Sequence, residues 1–191
     1  IETGVFVLRH PFNLGIGSAV QSGFKFAFKH NYDVAIQVDG DGQHDPKYIP
    51  KMLELIQDDV ADVIGGSRFL TKEGFQSSLL RRLWIKYFEI LFKILTGKKV
   101  TDCTAGFRAF SKDSIKLISK VYPDDFPEPE AIILIYKAGF TFTEVPVVMR
   151  ERLGGQSSIS GIKPLIYMIK VTLALLMNVL RGDRIEWREF K

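Results

Sequence analysis

The stretch that most constrains this chain runs from Ala35 to Pro46, Ala-Ile-Gln-Val-Asp-Gly-Asp-Gly-Gln-His-Asp-Pro. Val34, Ala35, Ile36 and Val38, alternating around Gln37, read as a buried strand that stops at two aspartates separated by one glycine. The carboxylates of Asp39 and Asp41 therefore belong to a strand's C-terminal end, where open α/β sheets bind ligands, and a glycine-relieved turn lets both aim at one point. Gln43 adds a neutral carbonyl oxygen. Asp39, Asp41 and Gln43 form a hard-oxygen set suited to Mg²⁺ or Mn²⁺ carried on a substrate phosphate.

Other readings of these residues compete with that one. An EF-hand loop wants glycine sixth and glutamate twelfth, where this chain has His44 and Pro50, so that reading fails. An aspartate-nucleophile phosphotransferase also uses Asp-x-Asp-Gly, but with a hydroxyl residue where Gln43 stands and a second acidic motif after a later strand. It remains the runner-up. A polar turn whose acids cap the next helix, as Asp45 before Pro46 would, is the plain alternative. A metal held for structure alone is the fourth.

With 191 residues, 46% of them hydrophobic, the chain is long enough for one folded domain with a sizeable core. The one cysteine, Cys103, excludes an intrachain disulfide, and no Cys/His cluster offers a zinc site, so a reducing compartment and a cytoplasmic face are expected. No apolar stretch reaches the roughly 20 uninterrupted residues of a membrane span. The net charge of +4 is spread along the chain without a nucleic-acid-binding module, so no nucleic-acid partner is expected.

In chain order, Val5 to Leu8 reads as a strand, followed by a glycine turn over Asn13–Gly17 and a helix carrying Phe24, Ala27 and Phe28. Neither the dinucleotide fingerprint nor a P-loop is completed there, and the glycines serve either ligand approach or helix packing. A helix is predicted from Lys47 to Asp58 and a strand from Ala61 to Gly66, which ends beside Arg68, a partner for a phosphate or an acid. Ser78 to Leu95 is the strongest amphipathic helix, with an apolar arc wider than one packing face needs. That width fits a large core, a lipid surface or another chain.

Thr101 to Phe110 reads as a loop entering a short strand, with Asp102 and Arg108 as candidate partners, and Ser111 as N-cap of a helix through Ile118. Phe126-Pro-Glu-Pro-Glu130 opens a helix over Ala131–Ala138, and a strand over Thr141–Val148 follows. Glu128 and Glu130 are either helix-dipole partners or a fixed carboxylate able to deprotonate an acceptor hydroxyl. Residues 149–158, with Arg152, paired glycines and hydroxyls, suit a loop closing over a diphosphate. Pro164 to Leu180 is an apolar helix suited to lying along a surface or joining a core.

Taken together, Asn13-x-Gly-x-Gly-x-Ala19, Asp39-x-Asp-x-Gln-His-Asp-Pro46, Gly66-Ser-Arg68, Asp102 to Arg108, Glu128-x-Glu130 and Arg152-x-x-Gly-x-Ser157 resemble, in this order, family 2 glycosyltransferases. The nearest branch is that of dolichol-phosphate mannose synthase and its bacterial relatives. The resemblance implies a GT-A fold, a Rossmann-like mixed sheet with helices on both faces. It implies a metal-dependent, inverting transfer from a nucleotide-diphosphate sugar to a polyprenyl-phosphate or cell-surface glycan acceptor. By carry-over Asp39 touches donor or metal, and Asp41 and Gln43 ligate Mg²⁺ or Mn²⁺. Arg152 and Ser157 close on the diphosphate, with Arg68 and Arg108 as further donor-side candidates, and Glu128 or Glu130 is the acceptor-side acid.

The catalytic domain is expected over residues 1–158, with an amphipathic helical tail over 159–191. The family's first two strands are not found, so the chain is expected to be an N-terminally truncated member with weak or no turnover by itself. Peripheral attachment to a membrane surface and self-association are expected from the apolar helix faces. A non-catalytic membrane- or partner-binding fragment is the remaining alternative.

Overall fold

The computed structural model describes residues 4–71, 79–150 and 163–180, without the side chains of 79–82 and 163–165. The chain runs α1 (Gly15–Lys29), β1 (Val34–Gln37), a 3-10 turn (Pro46–Tyr48) leading into α2 (Ile49–Gln57), β2 (Val63–Ser67), α3 (Leu79–Thr96) and β3 (Arg108–Ser111). It continues through α4 (Lys112–Lys120), α5 (Pro127–Lys137), β4 (Phe142–Pro146) and α6 (Lys163–Leu180). The four strands form one mixed sheet in the order β1-β3-β2-β4, with β3 antiparallel to β1 and β2, and β4 parallel to β2.

β2 is buried along its whole length and β3 over its first three residues, because both sides of the sheet are covered there. Val63 and Phe110 pack with Phe24 of α1, Leu117 and Ile118 of α4 and Ile135 of α5. Their neighbours Ile64 and Ala109, pointing the other way by the strand's period of two, pack with Met52 and Ile56 of α2 and with Phe107. A third cluster joins Phe88 and Phe92 of α3 to Ile132 and Ile133 of α5 and Met168, Val171 and Leu175 of α6. The expected mixed sheet with helices on both faces is what forms.

The strand expected at Val5–Leu8 does not form. Residues 4–10 carry no regular structure, and Val5, Phe6 and Val7 are exposed. Apolar alternation becomes a strand only when a neighbour takes its backbone hydrogen bonds, and no ladder among the described residues reaches this segment. The glycine turn after it is instead the first turn of α1. Gly15, at φ +86°, donates its N–H to Asn13 Oδ1 at 3.0 Å and starts the helix. Gly17 lies inside α1 against Pro123 and Asp124.

Helix α5 begins at Pro127, four residues earlier than expected, because proline at the first helical position lacks only an N–H the helix cannot use. Glu128 and Glu130 thus stand in its first turn. Strand register decides what meets what at one sheet end. Gln37 and Gly65 both pair with Arg108, and Ser67 pairs with Pro146. The C-terminal ends of β1, β2 and β4 and the entrance to β3 therefore converge on one edge.

Candidate active site

At that edge the loop after β1 carries Asp39, Asp41 and Gln43. Asp41 accepts the Gln43 backbone N–H on Oδ1 at 3.0 Å, a turn that fixes the loop's shape. Asp39 lies between two neighbours. His44 Nε2 donates to its Oδ2 at 3.2 Å, and a Cβ on Gly106 would come within 2.9 Å of both its oxygens. The His44 ring is buried against Phe107, with ring centroids 4.9 Å apart.

The same loop is stitched to the exit of β4. The Arg150 N–H donates to the Gln43 carbonyl at 3.0 Å, and the Gln43 side-chain amide donates to the Arg150 carbonyl at 3.3 Å. Arg150 Nη2 reaches Asp45 Oδ2 at 2.7 Å, and the Val148 N–H donates to Tyr48 Oη at 3.0 Å. Arg150 N-terminally adjoins residues 151–158, where Arg152 and Ser157 lie outside the described residues.

The Asp102–Arg108 pairing read from the sequence is replaced by another. Asp102 is buried and takes Arg68 in a two-pronged bond, Nε to Oδ2 at 2.6 Å and Nη2 to Oδ1 at 2.7 Å. Arg68 Nη2 also donates to Thr104 Oγ1 at 2.9 Å. The β2 exit brings Arg68 onto the Asp102 carboxylate, whereas β3 carries Arg108 into the interior. There Arg108 is buried, with Nη1 donating to the Glu128 carbonyl at 2.7 Å and Nη2 to the Cys103 carbonyl at 2.9 Å.

The two candidate glutamates separate in space. Burial pushes the Glu128 carboxyl above the ordinary range, Arg108 pulls it back, and the charge of Asp39 adds to the rise. Glu128 thus shares an electrostatic neighbourhood with Asp39 and Arg108. Glu130, also raised by burial, accepts from Asn178 Nδ2 on α6. Four contributors lay beyond the sequence reading: His44, Gly106, Arg150 and Glu144. Glu144 binds the backbone N–H groups of Thr101 and Asp102 at 2.7 and 2.8 Å and so fixes the loop that meets Arg68. His44 lies inside the Asp-rich motif, Gly106 inside the Asp102–Arg108 stretch and Arg150 inside the loop at 149–158, whereas Glu144 left no signal beyond its place in a predicted strand.

The family model described as Glycosyl transferase family 2 matches residues 1–118. The chain belongs to glycosyl transferase family 2. It is 30% identical over 167 residues to an undecaprenyl-phosphate mannosyltransferase of Micrococcus luteus, covering 84% of this chain and 67% of the relative. It is 32% identical over 146 residues to a UDP-N-acetylglucosamine–dolichyl-phosphate N-acetylglucosaminyltransferase of Methanococcus voltae, covering 75% of this chain and 58% of that one. The chain therefore spans about three-fifths to two-thirds of the length of these family 2 relatives. The fold is similar to that of glucosyl-3-phosphoglycerate synthase from Mycobacterium tuberculosis, solved with Mn²⁺, UDP-glucose and phosphoglyceric acid. The TM-score is 0.61 at 15% identity, covering 93% of this chain and 58% of that one.

Proposed function

We propose that this family 2 chain belongs to a transferase that passes a sugar from a nucleotide-diphosphate sugar to a polyprenyl phosphate, with inversion at the anomeric carbon. The observation that carries the reading is the position of Asp39, Asp41 and Gln43 on the loop after β1, at the edge where the entrance to β3 and the exits of β2 and β4 meet. A polyprenyl-phosphate acceptor for the whole protein is supported by the two relatives, an undecaprenyl-phosphate mannosyltransferase and a dolichyl-phosphate N-acetylglucosaminyltransferase.

Asp39, Asp41 and Gln43 would hold Mg²⁺ or Mn²⁺. Among the described residues no three His, Cys, Asp or Glu side chains gather as a metal site; Asp39, Asp41 and Gln43 offer two carboxylates and an amide oxygen. That set fits a hard cation that keeps phosphate oxygens in its shell, and the space left by Gly106 for the Asp39 carboxylate is one a Cβ would fill. When bound, the cation offsets charge on the diphosphate that departs. The chain's own residues do the rest. Arg152 and Ser157 draw the diphosphate in, and Glu128, near Asp39 and Arg108, is the acceptor-side acid in preference to Glu130, which Asn178 occupies. A phosphate acceptor attacks already ionised, so Glu128 orients it, whereas a hydroxyl acceptor gives Glu128 its proton.

The acceptor's lipid suits the outer face of α3 and α6. Leu83, Tyr87, Ile90 and Ile94 form one exposed stripe, and Ile166, Ile169, Leu173 and Met177 form another. Tyr87 Oη lies 3.0 Å from Thr172 Oγ1, which sets the two stripes side by side. No described helix is long and apolar enough to cross a membrane, and these stripes suit lying on one, with Lys86, Lys93 and Lys170 at their margins.

Titrating UDP and GDP with and without Mn²⁺, into wild type and Asp41→Ala, tests the donor site. Mn²⁺-dependent affinity that falls at least tenfold in the variant supports it. Binding indifferent to both Mn²⁺ and the substitution overturns it.

A further inference from the structure

We propose that His44 is a positioning residue for Asp39, holding its carboxylate in place at the donor edge. The inference rests on the donor-site reading above and adds a residue to it.

The geometry places one hydrogen of the ring. A carboxylate only accepts, so the nitrogen facing Asp39 Oδ2 at 3.2 Å carries the hydrogen. The other nitrogen, Nδ1, is buried with no hydrogen-bond partner. A buried polar atom left unpaired is destabilising, and a leucine or phenylalanine in the same hole, against Phe107, would avoid that cost. A residue that packs at a loss on one nitrogen is explained by what the other nitrogen does.

The other nitrogen crosses from interior to surface. The His44 side chain is 2% exposed and that of Asp39 is 42% exposed, so a rigid interior group grips an acid that solvent and donor reach. Gly106 also lies against that acid, where a Cβ would come within 2.9 Å of each oxygen. The ring's hydrogen bond thus favours one orientation of the carboxylate, in a space that a side chain at position 106 would take from it. An acid held this way binds without first losing its own rotational freedom. Second-sphere partners of a ligating group commonly contribute 10–100-fold to affinity.

The test compares three substitutions in the intact chain. The Gln side-chain nitrogen in His44→Gln occupies about the place of Nε2 and still donates to Asp39. His44→Asn is too short to do so, and His44→Leu donates nothing. Mn²⁺-dependent GDP or UDP affinity is expected to fall about tenfold in the Leu and Asn variants and to stay within about threefold in the Gln variant. The Leu variant should melt no lower than wild type, having lost the unpaired Nδ1. Affinity unchanged in His44→Leu, or equally reduced in all three variants in step with their melting temperatures, overturns the proposal.

A second measurement is independent of donor binding. Ring ¹⁵N shifts of His44 should report a protonated Nε2 in wild type and change in Asp39→Ala. If wild type binds no nucleotide, the donor-site reading fails while these shifts still decide the pairing. Shifts identical in Asp39→Ala overturn it.

Discussion

Arg68 and Asp102 meet across the β2 exit in a two-pronged ion pair, 2.6 and 2.7 Å, with the acid's side chain only 1% exposed. Removing the cation leaves a buried carboxylate with fewer donors, a change that ordinarily costs about 3–5 kcal/mol. Arg68 itself is partly exposed, so Arg68→Ala is expected to lower stability by about 3 kcal/mol in urea unfolding. Arg68→Lys should recover less than half of that, since an ammonium cannot match both oxygens. Nucleotide affinity at fixed folded protein should change less than twofold. A variant that folds as well as wild type but binds nucleotide tenfold worse would return Arg68 to the donor's phosphates.

Glu128 and Glu144 set a pH dependence whose sign is the reverse of ordinary acid denaturation. Burial raises both carboxyls above the ordinary value of 4.5, with Arg108 opposing at Glu128 and the Thr101 and Asp102 N–H groups opposing at Glu144. The folded protein therefore holds more protons than the unfolded chain between 4.5 and the raised values, and stability from these groups falls as pH rises through that interval. Glu128→Gln, which cannot ionise, should remove its share of that slope and melt at or above wild type at pH 7. Melting scans from pH 4 to 8 check this, and a Glu128→Gln variant that melts lower than wild type at pH 7 but not at pH 4 contradicts it.

How far the sequence speaks is clear from these same residues. The alternation around Gln37 and the wide-faced helix ending near Leu95 each carry a local signal and became elements close to their expected bounds, while the proline-glutamate run at 127–130 became the first turn of α5, four residues ahead of the expected start. The pairing of Asp102 was not legible. Which of Arg68 and Arg108 reaches it depends on the antiparallel register that sets Arg108 opposite Gln37 and Gly65, a fact spread over three strands. The segment at Val5–Leu8 fails for the complementary reason: its pattern is right for a strand, but a pattern supplies no partner. Asp39, Asp41 and Gln43 were visible because one short loop carries them. The grip of Gly106 and Arg150 on that loop joins residues about 70 and 110 positions apart.

The exposed stripes on α3 and α6 yield a prediction that separates surface from core. Ile94→Glu and Leu173→Glu alter exposed positions, so melting temperature should change by no more than about 2 °C, the range of ordinary surface substitutions. Sedimentation with vesicles containing anionic lipid should fall severalfold for either and further for both. Phe92→Ala, at a fully buried position of the same helix, should instead cost about 3–5 kcal/mol and serves as the contrast. Co-sedimentation unchanged in the double variant removes the membrane from the reading of this face.

Three glycines of α1 distinguish packing from ligand approach at the start of that helix. A Cβ on Gly17 would lie 2.5 Å from the Pro123 carbonyl oxygen and 2.9 Å from Asp124 backbone atoms, so the helix must move away from the segment that leads into α5. Neither neighbour is a flexible side chain that can yield. Gly17→Ala is expected to destabilise by about 1–3 kcal/mol. Gly15 has open space around it but sits at φ +86°, so Gly15→Ala should cost about 1 kcal/mol through backbone strain alone. Gly23 has open space and lies in the helix interior, where Gly23→Ala should stabilise by about 0.5–1 kcal/mol. Because the 123–124 segment precedes Glu128, Gly17→Ala should also disturb the first turn of α5, visible as shifted amide resonances at 127–130 that Gly23→Ala leaves in place. If instead Gly17→Ala folds as stably as wild type and loses only nucleotide affinity, the glycine serves ligand approach and the close contact with residues 123–124 is not what retains it.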